Sequence, residues 1–203
     1  LSSRFIEIYE NDEWGHGSGE GSLEVHTRGY VSFLQSFLRR KGIASVVDMG
    51  CGDWQFSRRI DWSGIEYRGF DVVPSVIAAN ASRHASANVA FHLYSGDPAQ
   101  LPAADLLLAK DVLQHLSYAQ IFATLACLGR YRYALITNCV APRGRTRNAD
   151  IATGDFRYLD LRREPFNLRA KQVYSFAKSM NPIRRLLRGP DWRKSVLLVE
   201  RRD

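Results

Sequence analysis

The chain has 203 residues, three cysteines, 45% hydrophobic residues and a formal net charge of +7 at pH 7. A chain this long buries roughly 70% of its unfolded surface, so it builds one core without staples. Cys51, Cys127 and Cys139 are odd in number, far apart and without a CxxC pair, which argues against a disulfide framework or zinc site and suits a reducing compartment.

No apolar run approaches the ~20 residues of a bilayer span, and the start shows no signal-peptide pattern, so we expect a cytoplasmic protein. The charge is uneven. Residues 1–142 carry 12 Lys/Arg and 14 Asp/Glu, whereas residues 143–203 carry 16 and 7. A basic final third suits an anionic partner such as nucleic acid, a nucleotide sugar or a phosphorylated glycan, or else a solvated surface with arginines paired to aspartates.

In chain order, residues 3–10 predict a short helix with Phe5, Ile6 and Tyr9 on one side. A glycine-rich loop follows at residues 11–22. Ser22 is placed to cap the next helix, whose apolar positions include Tyr30, Leu34, Phe37 and Leu38. Gly42 ends that helix after Arg39, Arg40 and Lys41, which favour the negative end of its dipole.

From Ala44 the pattern alternates. Short apolar runs at 44–48, 67–71, 89–94, 105–109 and 133–138 read as strands. Between them lie a weak helix near Gln55–Ile60, one at Ser75–Ala81 opened by Pro74, and one at Ser117–Leu128. This alternation predicts βαβ units and a parallel sheet covered on both faces. Residues 141–165 have no clear period, and a loop that long is usually functional or disordered. Strands near Val173–Phe176 and at Ser195–Glu200 suit an antiparallel sheet edge. The fold class is therefore α/β, a doubly wound, mostly parallel sheet of about seven strands with helices on both faces.

The segment VVDMGCGDW, residues 46–54, ends a strand at Asp48 and turns through Gly50 and Gly52. In open α/β sheets ligands bind at this edge. A dinucleotide fingerprint needs a third glycine where Gln55 stands, and GxxxxGK[ST] is absent. Asp48 and Asp53 would repel a pyrophosphate but suit a ligand with a sulfonium and an amino group. Asp71 closes the second strand, where an acid accepts ribose hydroxyls. Asp97 follows the third and is placed for an adenine amine. Any one of these acids is more often a turn or cap residue; the series on one sheet edge is more specific.

VVDMGCGDW, GFDVVP, SGDPAQLPAADLLLAKDVLQHLS and YALITN, in that order and spacing, resemble the class I S-adenosylmethionine (SAM)-dependent methyltransferases. The resemblance is strong over residues 44–140. It implies a Rossmann-like fold with SAM as cofactor and S-adenosylhomocysteine (SAH) as product. It also implies a cofactor set of Asp48, Gly50, Gly52, Asp71 and Asp97, with Asp53, Trp54 and Val72 beside them. The loop WGHGSGEGS, residues 14–22, is similar to one in a bacterial subgroup, where it folds over the cofactor. Trp14 would stack, and backbone N–H groups around Ser18 and Gly19 would hold the SAM carboxylate. The alternative for this loop is a disordered hinge. The chain then reads as one domain, with N-terminal helices and covering loop (1–43), SAM-binding core (44–140) and acceptor side (141–203).

Methyl transfer requires nucleophile, methyl and sulfur in line, and a hydroxyl acceptor is helped by a general base. The segment LAKDVLQHL, residues 108–116, offers Lys110, Asp111, Gln114 and His115. His115 has the right unperturbed pKa for a base, and Asp111 is the second catalytic candidate or a backbone contact to the cofactor, as is Lys110. Asn138, Asp150, Asp155 and Arg157 lie after strand five as candidate acceptor-side residues; surface salt bridges are the competing reading. Trp62 and Trp192 read as packing or surface-anchor aromatics. No cluster has metal-ligand spacing.

The expected function is methyl transfer to a small molecule or glycan, onto a hydroxyl. A nucleic-acid (RNA) methyltransferase using the basic final third is the second reading, and a non-catalytic SAM-binding protein the third. A nucleotide-dependent oxidoreductase is weakened by Gln55.

Overall fold

The computed structural model describes residues 2–178 and 192–201. The described residues include four α-helices: α1 (Ser2–Glu10), α2 (Glu24–Lys41), α3 (Pro74–His84) and α4 (Tyr118–Ala126). Seven strands are β1 (Ser45–Met49), β2 (Glu66–Asp71), β3 (Val89–Leu93), β4 (Ala104–Lys110), β5 (Tyr131–Val140), β6 (Lys171–Ala177) and β7 (Arg193–Glu200). They form one sheet in the order β3-β2-β1-β4-β5-β7-β6. The first five strands are parallel, and β7 pairs antiparallel with both β5 and β6. Strand order reverses between β1 and β4, which leaves a crevice beyond their carboxyl ends.

Alternation along the strands divides the core in two. Val46, Leu106 and Leu108 pack beneath α2 against Tyr30, Leu34 and Leu38. Val47, Met49, Leu107 and Ala109 face the other way, against Leu113, Ile121, Leu159 and Leu161. Leu108 is fully buried, and its truncation to Ala would cost about 2–5 kcal/mol.

Local sequence explains the helix ends. Pro74 opens α3, where its missing N–H costs nothing. Gly42 closes α2 at φ 58°, ψ 48°, with its N–H on the Arg39 carbonyl; this left-handed geometry favours glycine. Ser117 and Gln120 form a capping box on α4. Two expectations change. The cap position of α2 is Leu23, with no side-chain cap, and the Ser22 hydroxyl instead donates to the Ser18 carbonyl at 3.4 Å. The helix expected near 55–60 is one 3-10 turn at Ser57–Arg59. The Trp62 indole and the Ile60 N–H both take the Ser57 carbonyl, so the helical ladder is not propagated.

Residues 141–170 hold neither helix nor strand, yet they are tied down. The N–H groups of Gly154, Arg157 and Leu159 donate to the carbonyls of His115, Gln114 and Cys139. The Asn148 side chain binds the Asp160 N–H and the carbonyls of Asp160 and Glu164, and Leu159 and Leu161 are buried. Apolar anchors and backbone bonds thus hold an aperiodic segment as a strap against the end of β5 and the segment that follows β4.

Candidate active site

The crevice beyond β1 and β4 is a cavity of about 390 Å³, a size typical of small-ligand sites. Its floor is the glycine turn. Gly50 and Gly52 have φ of 70° and 53°, the region that favours glycine. The close approach that demands glycine comes from the chain itself: a Cβ on Gly50 would meet the Val112 side chain, and one on Gly52 the Ser18 hydroxyl and, at 3.1 Å, the Tyr9 hydroxyl.

The loop at 14–22 is latched to this turn. Asp53 N–H donates to Ser18 Oγ at 3.0 Å, and Ser18 N–H donates back to Asp53 Oδ2 at 3.3 Å. Gln55 Nε2 donates to Asp53 Oδ2 and to the His16 carbonyl, each at 2.6 Å. Trp14 sits against the His115 ring, centroids 4.9 Å apart, and meets Phe5 and Tyr9 edge-on. The Ser18 N–H is therefore committed to Asp53.

Asp71 lies at the end of β2 on the cavity wall. Its Oδ2 accepts from Gly52 N–H at 3.0 Å and its Oδ1 from Val72 and Val73 N–H. Burial pushes this carboxyl up, and the three N–H groups pull it back.

Beyond β4 stands a charged cluster. Asp111 adopts φ 62°, and its Oδ2 accepts from Lys110 Nζ at 2.6 Å and from Lys194 Nζ. The lysine side chains are only 3% and 4% exposed. Burial pushes the Asp111 carboxyl up, but the charges of Lys110 and Lys194 outweigh it and hold the pKa at about 2. Burial lowers Lys110 to about 8, against the attraction of Asp111.

His115 donates from Nδ1 to the Asp155 carbonyl at 2.9 Å. Its Nε2 lone pair then faces Gln114 Nε2 at 3.2 Å, and Gln114 Oε1 accepts from Cys139 N–H at 2.7 Å. These contacts assign the neutral Nδ1–H tautomer. Burial lowers the imidazole pKa, with the Asp155 carbonyl opposing.

The cavity brings together Trp14, Ser18, Gly19, Gly50, Gly52, Asp53, Asp71, Val72, Lys110, Asp111 and His115. Seven other candidates lie outside its lining. Asp48 is 1% exposed, beneath the turn, and accepts the Tyr67 hydroxyl at 2.6 Å; burial lifts its carboxyl to about 6. Trp54 packs in the core against Tyr67, His84 and Phe91. Asp97 is exposed and accepts from Ala99 N–H in its own turn. Asn138 is buried in β5. Asp150 accepts from the first N–H of α4. Asp155 contributes its carbonyl to His115. Arg157 is buried, donating to the carbonyls of Leu113 and Leu116.

Residues not named as site candidates from the sequence also line the wall, among them Tyr9, Phe56, Tyr94, Phe156, Tyr158, Trp192 and Lys194. Trp192 packs edge-on against His26 and Phe176, as expected of a packing aromatic, and also lines the cavity. Among the described residues no three His, Cys, Asp or Glu side chains converge as a metal would need. No helix among them is long and apolar enough to cross a membrane. A second, more open groove is lined by Arg132, Arg169, Lys171 and Arg201, with Glu200 among them. It lies by the register pair Tyr133–Glu200, at the opposite end of β5 and β7 from the Cys139–Lys194 pair beside the cavity.

The seven-stranded sheet, parallel until its antiparallel β5-β7-β6 edge, is the Rossmann-like fold of methyltransferases. No family model and no curated protein matches the chain; the likeness is to solved structures. Magnesium protoporphyrin IX methyltransferase from Synechocystis PCC 6803, solved with SAM, aligns over 99% of this chain and 97% of its own at 18% identity and TM-score 0.63. The methyltransferase domain of bacterial CtHen1 aligns over 84% and 97% at 13% identity and TM-score 0.58. A SAM-dependent methyltransferase from Archaeoglobus fulgidus aligns over 83% and 94% at 15% identity and TM-score 0.53.

Proposed function

We propose that the chain is a SAM-dependent methyltransferase acting on a hydroxyl of a small-molecule or glycan acceptor. The observation that carries the cofactor is the character of the cavity. Its wall includes Asp71, which closes β2, and at the glycine turn a buried carboxylate oxygen, Asp53 Oδ1, with no hydrogen-bond donor among the described residues. An unfilled buried acceptor beside the glycine turn suits a ligand that brings an ammonium and a sulfonium to that end, and it disfavours a pyrophosphate there. The likeness in fold to the magnesium protoporphyrin IX methyltransferase solved with SAM and to the Archaeoglobus fulgidus SAM-dependent methyltransferase supports the same reading.

When bound, SAM supplies an electrophilic methyl group. The chain's own residues do the rest. Asp71 is placed to accept ribose hydroxyls, Val72 and Tyr94 to flank a base, and the latched 14–22 loop to exclude water. His115 is neutral, and its Nε2 lone pair is ready to take a hydroxyl proton once Gln114 yields. Trp14, Phe156 and Tyr158 around it form an aromatic wall suited to a ring-containing acceptor.

The nucleic-acid reading rests on the basic final third, of which Arg169, Lys171 and Arg201 line the second groove with Arg132, at the far end of β5 and β7 from His115. The deciding experiment is calorimetric titration of the protein with SAM, SAH and, as control, NAD. Micromolar binding of SAM and SAH without NAD is expected. Binding of NAD alone would overturn the proposal.

A further inference from the structure

We propose that Lys194 and Lys110 form a carboxylate-binding subsite in the cavity wall, a proposal that rests on the methyltransferase reading above. Three observations carry it. The first is a shortage of acceptors. An ammonium has three N–H donors. Lys110 places two, on Asp111 Oδ2 and on the Gly21 carbonyl at 3.3 Å; Lys194 places one, on Asp111 Oδ2. Among the described residues three donors therefore find no acceptor, within a cavity that both residues line.

The second is charge. Two buried cations share a single carboxylate oxygen, Asp111 Oδ2. The other carboxylates of the cavity wall are engaged elsewhere: Glu20 by Lys178 at 2.7 Å, Asp53 by Ser18 N–H and Gln55, and Asp71 by three backbone N–H groups. Around Asp111 two cations thus meet one anion, and such a local excess is costly unless a further anion completes it.

The third is construction. The Lys194 ammonium lies 5.0 Å from the Trp192 ring centroid, and that of Lys110 lies 5.0 Å from Phe56. Both are held over aromatic faces and away from water. Gly21 passes so close to Lys194 that a Cβ there would collide with Nζ, so the covering loop closes directly over the pair. The Ser18 N–H, the donor expected for the SAM carboxylate, is turned to Asp53 instead.

The carboxylate has two sources, the amino-acid end of SAM or an acidic group on the acceptor. The test compares wild type with Lys194→Met by calorimetry, using SAH, 5′-methylthioadenosine (the same thioether nucleoside without the amino-acid end) and benzoate. If the source is SAM, the substitution weakens SAH by about 10- to 100-fold, the worth of one charge-assisted hydrogen bond, and leaves 5′-methylthioadenosine unchanged. If it is the acceptor, SAH affinity holds, while benzoate binds the SAH-loaded wild type and not the variant. Unchanged SAH affinity together with equal benzoate binding, or none, in both proteins overturns the subsite. Lys194→Gln, which removes the charge but stays polar, serves if the methionine variant does not fold, and the same losses are expected of it; Lys194→Arg, which keeps the charge, retains most of the binding. If wild type binds neither nucleoside, the methyltransferase reading fails by itself, and benzoate titration of the bare protein still decides the subsite.

Discussion

Asp111→Asn isolates the electrostatics of the cavity. Asparagine has nearly the same shape and tolerates the left-handed backbone at φ 62°, so the change removes charge without a conformational penalty. The lost carboxylate is the shared partner of two ammoniums whose side chains are 3% and 4% exposed. Breaking a buried pair from one side typically costs about 3–5 kcal/mol. Part of that is relieved by proton release from Lys110, whose pKa is already lowered to about 8 and drops further without Asp111. Each unit below the working pH is worth roughly 1.4 kcal/mol.

The expected net loss of stability at pH 7 is therefore about 2–4 kcal/mol. The sign of its pH dependence follows from the depressed lysine. Folded Lys110 binds fewer protons than the unfolded chain between its lowered pKa and 10.5, so stability rises with pH in that window. The window reaches further below pH 8 in the variant than in wild type, and the penalty shrinks by about 1 kcal/mol between pH 7 and pH 9. Urea denaturation followed by circular dichroism at both pH values measures it. A loss under about 1 kcal/mol at pH 7, or a penalty that grows with pH, would refute the shared-anion description.

The remaining predictions concern the loop, the turn and the histidine. Ser18→Ala removes the acceptor for Asp53 N–H and the partner of the Tyr9 hydroxyl at 2.8 Å; it should cost about 1 kcal/mol and speed amide exchange across residues 14–22, and unaltered exchange would show that the latch is elsewhere. Gly52→Ala combines a positive φ with a collision at the Ser18 hydroxyl, so we expect a loss of about 1–3 kcal/mol, read as a lower urea midpoint. His115 should titrate below its ordinary 6.5 by NMR, because burial disfavours its cation. Its contribution to stability is then present above 6.5 and falls as pH drops towards the lowered midpoint; a midpoint above 6.5 would contradict the neutral-base assignment.

The elements that read clearly in the sequence are those whose signal is local. The apolar runs of β1, β4 and β5 are buried on both faces because sheet and helices cover them, and Gly50 and Gly52 turn the chain beside Asp71 as their spacing implies. The misplacements follow from side-chain direction. Asp48 shares the α2 side of β1 with Val46, so period-two alternation carries it under the turn. Trp54 continues the motif in sequence, but at φ 59° its ring turns into the core.

Lys194 shows the opposite case. Before the apolar run SVLLVE a lysine reads as a solvated strand end. Only the antiparallel register that sets it opposite Cys139 carries its ammonium across the sheet to Asp111. A motif specifies the backbone turn that makes room for a ligand, whereas the charges facing that room are assembled by strands 83 residues apart in sequence. Composition therefore registered an excess of positive charge in the final third, and only the sheet register brings one of those lysines into the cavity.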